Sequence, residues 1–440
     1  MASNQRIFKM PEQGMSAEQV TELVDKLHQG MTPEDKGKFA STAFWGVDET
    51  NPVIKETFMK FFSWNALFTF QEASAAQMEN DVLDVCIGLL GGGEETRANL
   101  TSGGTESNFC AFHAMRKWAR ETYPHIKEPE VVAPYSTHAT VHKACQILDI
   151  KVVTVPQLDD LSVDVAGIEK AIGENTIGIV GSAPSWPYGQ VDPIEEFSRI
   201  AIEKNLWLHV DACVGAYVLP FFRELGQEMP DYDLRIPGVR SITGDLHKYG
   251  YTPKPCSTVL WRSQEEQKYH IMPINEWACG TYMSQGFVGS RPLAPVAAAW
   301  ALMNMMGHQG YLENARKVME IRNRVIDRVA EIPGLTTWTS HGPLLQIAAE
   351  DYPIELIVGG MNQKGWRLLG VNTPPAIHLT IDVTSSEALD SFLDDLTIVA
   401  KAAADGKITQ EGLLQYGGAG DMETAPKWLL SALQILEADS

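Results

Sequence analysis

From residue 130 to residue 262 the chain alternates between two textures. Apolar, β-rich runs occur at 130–134, 150–155, 176–181, 206–210, 239–243 and 257–262, with helix-like segments between several of them at 138–148, 164–172 and 193–204. Parallel strands need long crossovers, and helices are the usual crossover, so this alternation predicts an α/β fold with a mostly parallel sheet covered on both faces. In such sheets ligands bind beyond the carboxyl ends of the strands. Polar residues at those ends are therefore the first candidates for function.

The flanks read differently. Helices are expected at 16–30 and 33–40, capped by Ser16 and Thr32, followed by a loop-rich stretch at 46–52. A helix over 74–90 stops at Gly91-Gly92-Gly93. The Ala- and Met-rich stretch 294–306 reads as a buried helix. A long helix over 309–331, short strands at 335–339, 344–349 and 376–382, and a helix at 385–403 then suggest a small α+β domain. The expected division is an N-terminal helical segment (1–60), a large domain (61–300) and a C-terminal small domain (301–440).

Charge narrows the partners. Acidic residues outnumber basic ones 56 to 35, a formal charge of -21, which argues against nucleic acid or an anionic membrane. The six cysteines form no CxxC pair that would hold a metal or a redox disulfide. Scattered cysteines in a chain this long suggest reduced thiols and a cytoplasmic setting. The polar start MASNQRIFKMPEQG lacks a signal peptide's apolar stretch, and no run approaches a membrane span.

Four features sit at element junctions. TSGGTES (Thr101–Ser107) puts Gly103 and Gly104 ahead of a helical run to about Glu121. Glycines let backbone amides approach an anion there, the helix dipole favours it, and the hydroxyls of Thr105 and Ser107 can donate to it. His138 opens a helical segment, where its ring can stack on a planar group. LWLHVDAC (206–213) delivers Asp211 to a strand end, where a buried carboxylate needs a partner such as a protonated ring nitrogen. SITGDLHKYGYTPK (241–254) ends a strand at Lys248, and desolvation there would lower its pKa and make it nucleophilic. Each has an ordinary alternative: a capped glycine turn, a structural histidine, a helix-capping aspartate, an exposed lysine. Together they supply the phosphate anchor, ring clamp, pyridinium partner and Schiff-base amine that pyridoxal 5′-phosphate (PLP) requires.

With GSAPSWPYG (181–189) and GSRP (289–292), these motifs make the chain resemble the group II PLP-dependent decarboxylase superfamily, and within it the sphingosine-1-phosphate lyase branch. The likeness runs from about residue 60 to 320, more weakly beyond. It implies a PLP-dependent transferase fold of type I, with a mostly parallel seven-stranded sheet and a small α+β C-terminal domain. Lys248 matches the Schiff-base lysine, Asp211 the pyridine-nitrogen partner and His138 the stacking histidine, with Cys213 behind the opposite ring face. Gly103, Gly104, Thr105, Ser182 and His247 match cofactor-binding positions. Gly289 and Ser290 match a loop that reaches the neighbouring subunit's phosphate, which implies a homodimer with active sites at the interface. Lys254 matches a second active-site lysine.

Two reactions follow from such a site. One is retro-aldol cleavage of a β-hydroxy amine, favoured by HVDAC and GGTES over the HVDAA and GGS-type loops common in amino-acid decarboxylases. The other is α-decarboxylation of an amino acid. Lys254, Lys248 or the nearby Tyr249 would carry the proton, and Asn65, Tyr282 and Lys254 are candidates for touching the small-molecule substrate. A non-catalytic homologue is a third reading, against which the intact Lys248 and Asp211 speak.

Overall fold

The computed structural model describes residues 13–29, 51–284, 286–409 and 411–412; the helix expected at 33–40, its cap Thr32 and most of the 46–52 loop lie outside them. Seven strands form the larger sheet: β1 (Arg97–Thr101), β2 (Glu130–Pro134), β3 (Lys151–Val155), β4 (Thr176–Ser182), β5 (Trp207–Asp211), β6 (Val239–Gly244) and β7 (Ser257–Trp261). Their order is β1-β7-β6-β5-β4-β2-β3. β2 through β6 pair in parallel, and β7 runs antiparallel to both its neighbours. The reason is visible in the connection. No helical crossover separates β6 from β7, only the loop that carries Lys248, so the chain turns straight back.

Helices cover both faces. Helix Gly104–Thr122 buries Cys110, Ala111, Phe112, Ala114, Met115 and Trp118, and helix Ile194–Glu203 buries Ile194, Phe197 and Ile200. A fully buried side chain of this kind stabilises the fold by about 1.5–3 kcal/mol. β4 is buried along its whole length, as expected of a central parallel strand.

Helix Pro52–Phe61 was not anticipated from the sequence. Asn51 caps it, its Oδ1 accepting from Val53 N at 3.0 Å, and Pro52 occupies the first turn, where its missing N–H costs nothing. The two helices expected either side of residue 307 are one 37-residue run, Ala294–Ala330, broken at Gly307 (φ 55, ψ -177). Residue 300 lies inside its first half.

The second sheet contains β8 (Leu335–Thr337), β9 (Leu344–Ala349), β10 (Leu369–Asn372) and β11 (Pro375–Thr380), in the order β10-β11-β9-β8 and antiparallel throughout. Helices Ile354–Gln363 and Leu389–Ala404 pack together beside it. Side chains of the larger sheet's loops reach into this unit. Tyr249 Oη donates to Ile381 O at 2.7 Å, Tyr188 Oη donates to Thr373 O at 2.7 Å, and the Trp186 ring stacks on His378 at 4.6 Å. No described helix is long and apolar enough to cross a membrane.

Candidate active site

The carboxyl ends of β4, β5 and β6 and the turn after β1 open onto one cavity of about 250 Å³. Its wall brings together Gly103, Gly104, Thr105, His138, Ser182, Asp211, Cys213, His247 and Lys248 from five separate stretches of chain. It also includes Thr140, Pro184, Trp186, Val214 and Asp245, which sequence reasoning had not singled out.

Gly104 begins the helix after β1, and the first-turn amides of a helix have no carbonyl before them to bond. A Cβ on Gly104 would come within 2.6 Å of Cys213 Sγ and 2.9 Å of Asp245 Oδ2, so only glycine fits. Ser107, a candidate anion donor, is instead fully buried with its Oγ 2.5 Å from Thr101 Oγ1 and donating to Gly103 O at 3.3 Å. It holds the turn and has no proton left for a ligand.

Asp211 ends β5. Its Oδ1 accepts from Cys213 N at 3.0 Å and its Oδ2 from Asn108 Nδ2 at 2.9 Å. Burial pushes this carboxyl up, but His138 and the donors at Cys213 and Asn108 outweigh it and hold it below the usual carboxylate range. It stays ionised and can face a protonated ring nitrogen. His138 caps helix Ala139–Ile147, its Nδ1 accepting from Thr140 N at 3.2 Å. Burial lowers the pKa of its imidazole, which favours the neutral ring.

The lysine departs from expectation. Burial alone would lower its pKa, but Asp245 Oδ2 lies 2.9 Å from Lys248 Nζ and the net direction is upward. Lys248 is thus a paired ammonium, held at the cavity wall by a carboxylate. His247 anchors the same loop through its backbone N, which donates to Cys256 O at 2.9 Å, while Ser257 Oγ lies 3.2 Å from its Nδ1.

Six further candidates, Tyr249, Lys254, Asn65, Tyr282, Gly289 and Ser290, do not line this cavity. Tyr249 is fully buried and its hydroxyl is given to Ile381 O, so it is not free to carry a proton to a ligand. Lys254 stands outside, its pKa lowered by partial burial and by the charge on Lys248. Asn65 Nδ2 donates to Ser290 Oγ at 2.9 Å, and Asn65 Oδ1 accepts from Arg291 N at 3.2 Å, which ties the 65 and 290 segments together on the exterior. Tyr282 bridges to Ile274, and its Oη would lie 3.4 Å from a Cβ on Gly289.

The wall fits pyridoxal phosphate on its own evidence. Ser182 Oγ and Asp245 Oδ1 are buried with no hydrogen-bond partner among the described residues, a cost of about 1–3 kcal/mol each unless an occupant meets them. Residues 103–105 offer an anion site, Asp211 a fixed negative charge, His138 a flat ring and Lys248 an amine.

The comparisons agree. The model of the pyridoxal-dependent decarboxylase conserved domain matches residues 63–334. The chain is 36% identical over 398 residues to the sphingosine-1-phosphate lyase of Arabidopsis thaliana, covering 88% of this chain and 73% of that one. It is 33% identical over 399 residues to the L-aspartate decarboxylase of Thermococcus kodakarensis, covering 89% and 99%. The structure of the sphingosine-1-phosphate lyase of Burkholderia pseudomallei K96243 superposes with a TM-score of 0.85 at 30% identity, covering 92% of this chain and 96% of that one. The chain belongs to the pyridoxal-dependent decarboxylase family and is a PLP-dependent lyase with the type I fold.

Proposed function

We propose that this lyase cleaves the Cα–Cβ bond of a β-hydroxy amine, releasing an aldehyde, and that a phosphorylated long-chain amine of the sphingoid type is its substrate class. The observation that carries this is the 36% identity to a sphingosine-1-phosphate lyase across 88% of the chain, which includes every wall residue of the cavity. The cofactor supplies, when bound, an electron sink for the electrons left when a bond to the amine-bearing carbon breaks.

The chain's own residues do the rest. Gly103, Gly104, Thr105 and His247 would hold the phosphate, Lys248 would be the covalent anchor, and Ser182 would offer a hydroxyl. Asp211, kept ionised by its donors, would keep a proton on the ring nitrogen. His138 and Cys213 would contact the ring. Asp245 holds the Lys248 amine at the wall through their ion pair. Retro-aldol cleavage then needs one base for the substrate hydroxyl and one acid for the carbon left behind. Lys248 is the wall's one amine among the described residues, with Lys254 the second candidate.

Gly289 and Ser290 do not line their own chain's cavity, and Trp64 (52% exposed), Phe70 (67%), Met283 (54%) and Phe287 (59%) leave apolar surface on the segments joined at Asn65 and Ser290. This supports a homodimer in which each copy's 289–290 turn completes the other's site. Five of the six cysteines are buried free thiols, in keeping with a reducing cytoplasm. Decarboxylation remains the second reading, favoured by the 33% identity to an L-aspartate decarboxylase. Incubating the holoenzyme with phosphorylated β-hydroxy amines and with α-amino acids tests both. Aldehyde without carbon dioxide is expected; carbon dioxide from an amino acid, with no aldehyde from any amine, overturns the lyase assignment.

A further inference from the structure

Behind Asp211 lies a run of buried polar side chains that the chemistry above does not use. Trp207, Asn108, His209 and Ser241 are all fully buried. Trp207 Nε1 donates to Ser241 Oγ at 2.9 Å, Ser241 Oγ lies 2.9 Å from His209 Nδ1, and His209 Nε2 lies 3.0 Å from Asn108 Oδ1. Asn108 Nδ2 then reaches both Asp211 Oδ2 (2.9 Å) and Thr140 Oγ1 (3.0 Å), and Thr140 Oγ1 lies 2.9 Å from His138 Nδ1.

The two ends together fix the sense of the bonds. An indole N–H can only donate, so Ser241 Oγ accepts from Trp207. An ionised carboxylate can only accept, so Asn108 turns its Nδ2 toward Asp211 and Thr140 and its Oδ1 toward His209. A neutral His209 therefore carries its proton on Nε2 and donates it to Asn108 Oδ1, which leaves its Nδ1 to accept the Ser241 proton. Thr140, accepting from Asn108, turns its own proton to His138 Nδ1, which already accepts from Thr140 N. Burial lowers the His209 pKa to about 4, in keeping with the neutral ring this order needs. Thr243 Oγ1 stands within 3.3 Å of Asn108 Oδ1 and 3.4 Å of Asp211 Oδ1, donating to either without reversing any step.

We propose that His209 and Asn108 are positioning residues of the reaction, the middle of a one-way hydrogen-bond chain from the Trp207 indole that sets the orientation of Asp211 and the tautomer of His138 together. Asn108 is the branch point. Through it the residue facing the ring nitrogen and the residue stacked on the ring are held by one amide, and both stay competent only while that amide points one way. The proposal rests on the reading that Asp211 pairs with the cofactor's ring nitrogen. Partners behind a ligating group commonly change affinity or rate by about 10–100-fold when lost.

The test is nitrogen-15 NMR of the holoenzyme with ring-labelled histidine, reconstituted with pyridoxal phosphate labelled at its ring nitrogen. His209 is identified by the signal lost in His209→Gln. Wild type is expected to carry the His209 and His138 protons on Nε2, with the cofactor nitrogen protonated. His209→Gln can accept from Ser241 and donate to Asn108, so it is expected to keep cofactor affinity within a few-fold of wild type. His209→Phe breaks the chain, so cofactor affinity should fall by about tenfold or more and the cofactor nitrogen signal should move toward the unprotonated form. A wild-type His209 with its proton on Nδ1 overturns the proposal. So does a folded His209→Phe, judged by circular dichroism, whose cofactor nitrogen and affinity are unchanged. If His209→Phe does not fold, the wild-type tautomers and the His209→Gln result decide. A wild-type cofactor nitrogen without a proton overturns the pairing with Asp211 itself, a failure distinct from a wrong tautomer.

Discussion

Asp245 is the residue that most changes how this site works. A desolvated lysine was expected at 248, and a carboxylate oxygen 2.9 Å from Nζ makes it a paired one instead. Asp245→Asn removes the charge that holds the Lys248 pKa up and leaves burial to push it down. Apoenzyme carrying Asp245→Asn should therefore capture pyridoxal phosphate at lower pH than wild type, measured by the growth of its visible absorbance; an unchanged pH dependence would count against the pairing. Gly104 gives a steric prediction. Its absent Cβ leaves room for Cys213 Sγ and Asp245, so Gly104→Ala should cost about 1–3 kcal/mol through overpacking and weaken cofactor binding in an equilibrium titration. At this scale the sequence was readable wherever a residue stood in a motif with a strand end behind it, as Asp211 and Lys248 do. Asn108 and Thr140 were not, because nothing local marks them: each gains its role from segments brought close by the sheet. Ser107 shows the converse, a motif hydroxyl consumed by the turn that displays it.

Among the elements, the central strands were legible to within a residue or so because burial on both faces demands continuous apolar runs. β1 was not, since Arg97 and Asn99 interrupt it. Asn99 is buried there because its Oδ1 accepts from Trp261 Nε1 at 2.9 Å, a partner 162 residues away. Helix Ile354–Gln363 hides behind Gly359-Gly360, which reads as a turn; a Cβ at Gly360 would meet Val399 Cγ1 at 2.6 Å, so close helix packing selects the glycine. The break in Ala294–Ala330 depends on Gly307, whose backbone conformation is nearly closed to other residues. Gly307→Ala should lower stability by about 1–3 kcal/mol, read as a reduced midpoint in thermal or urea unfolding. β11 supplies a pH prediction. Burial depresses the His378 pKa to about 3, against about 6.5 in an unfolded chain. The unfolded state binds this proton first, so the stability tied to a neutral His378 is present above pH 6.5 and declines as pH falls toward 3. His378→Gln should flatten that decline by up to about 1.4 kcal/mol per pH unit, measured by urea unfolding at pH 7, 6 and 5. Parallel slopes for the two proteins would contradict it.

Seen whole, the molecule is a sheet whose strand ends converge on one cavity, with a smaller antiparallel sheet fastened beside it by Tyr188, Tyr249 and the Trp186–His378 stack. The type I architecture was legible because alternation and a few glycine turns constrain it strongly. The reaction is less so, since bond choice depends on how a substrate is held and not on the residues that hold the cofactor. Every role assigned to the cavity depends on which amine carries the cofactor. Reducing the holoenzyme with borohydride and mapping the labelled peptide measures that directly. The account predicts a pyridoxyl group on Lys248 and none in Lys248→Ala; a label on Lys254 or on any other lysine would contradict it.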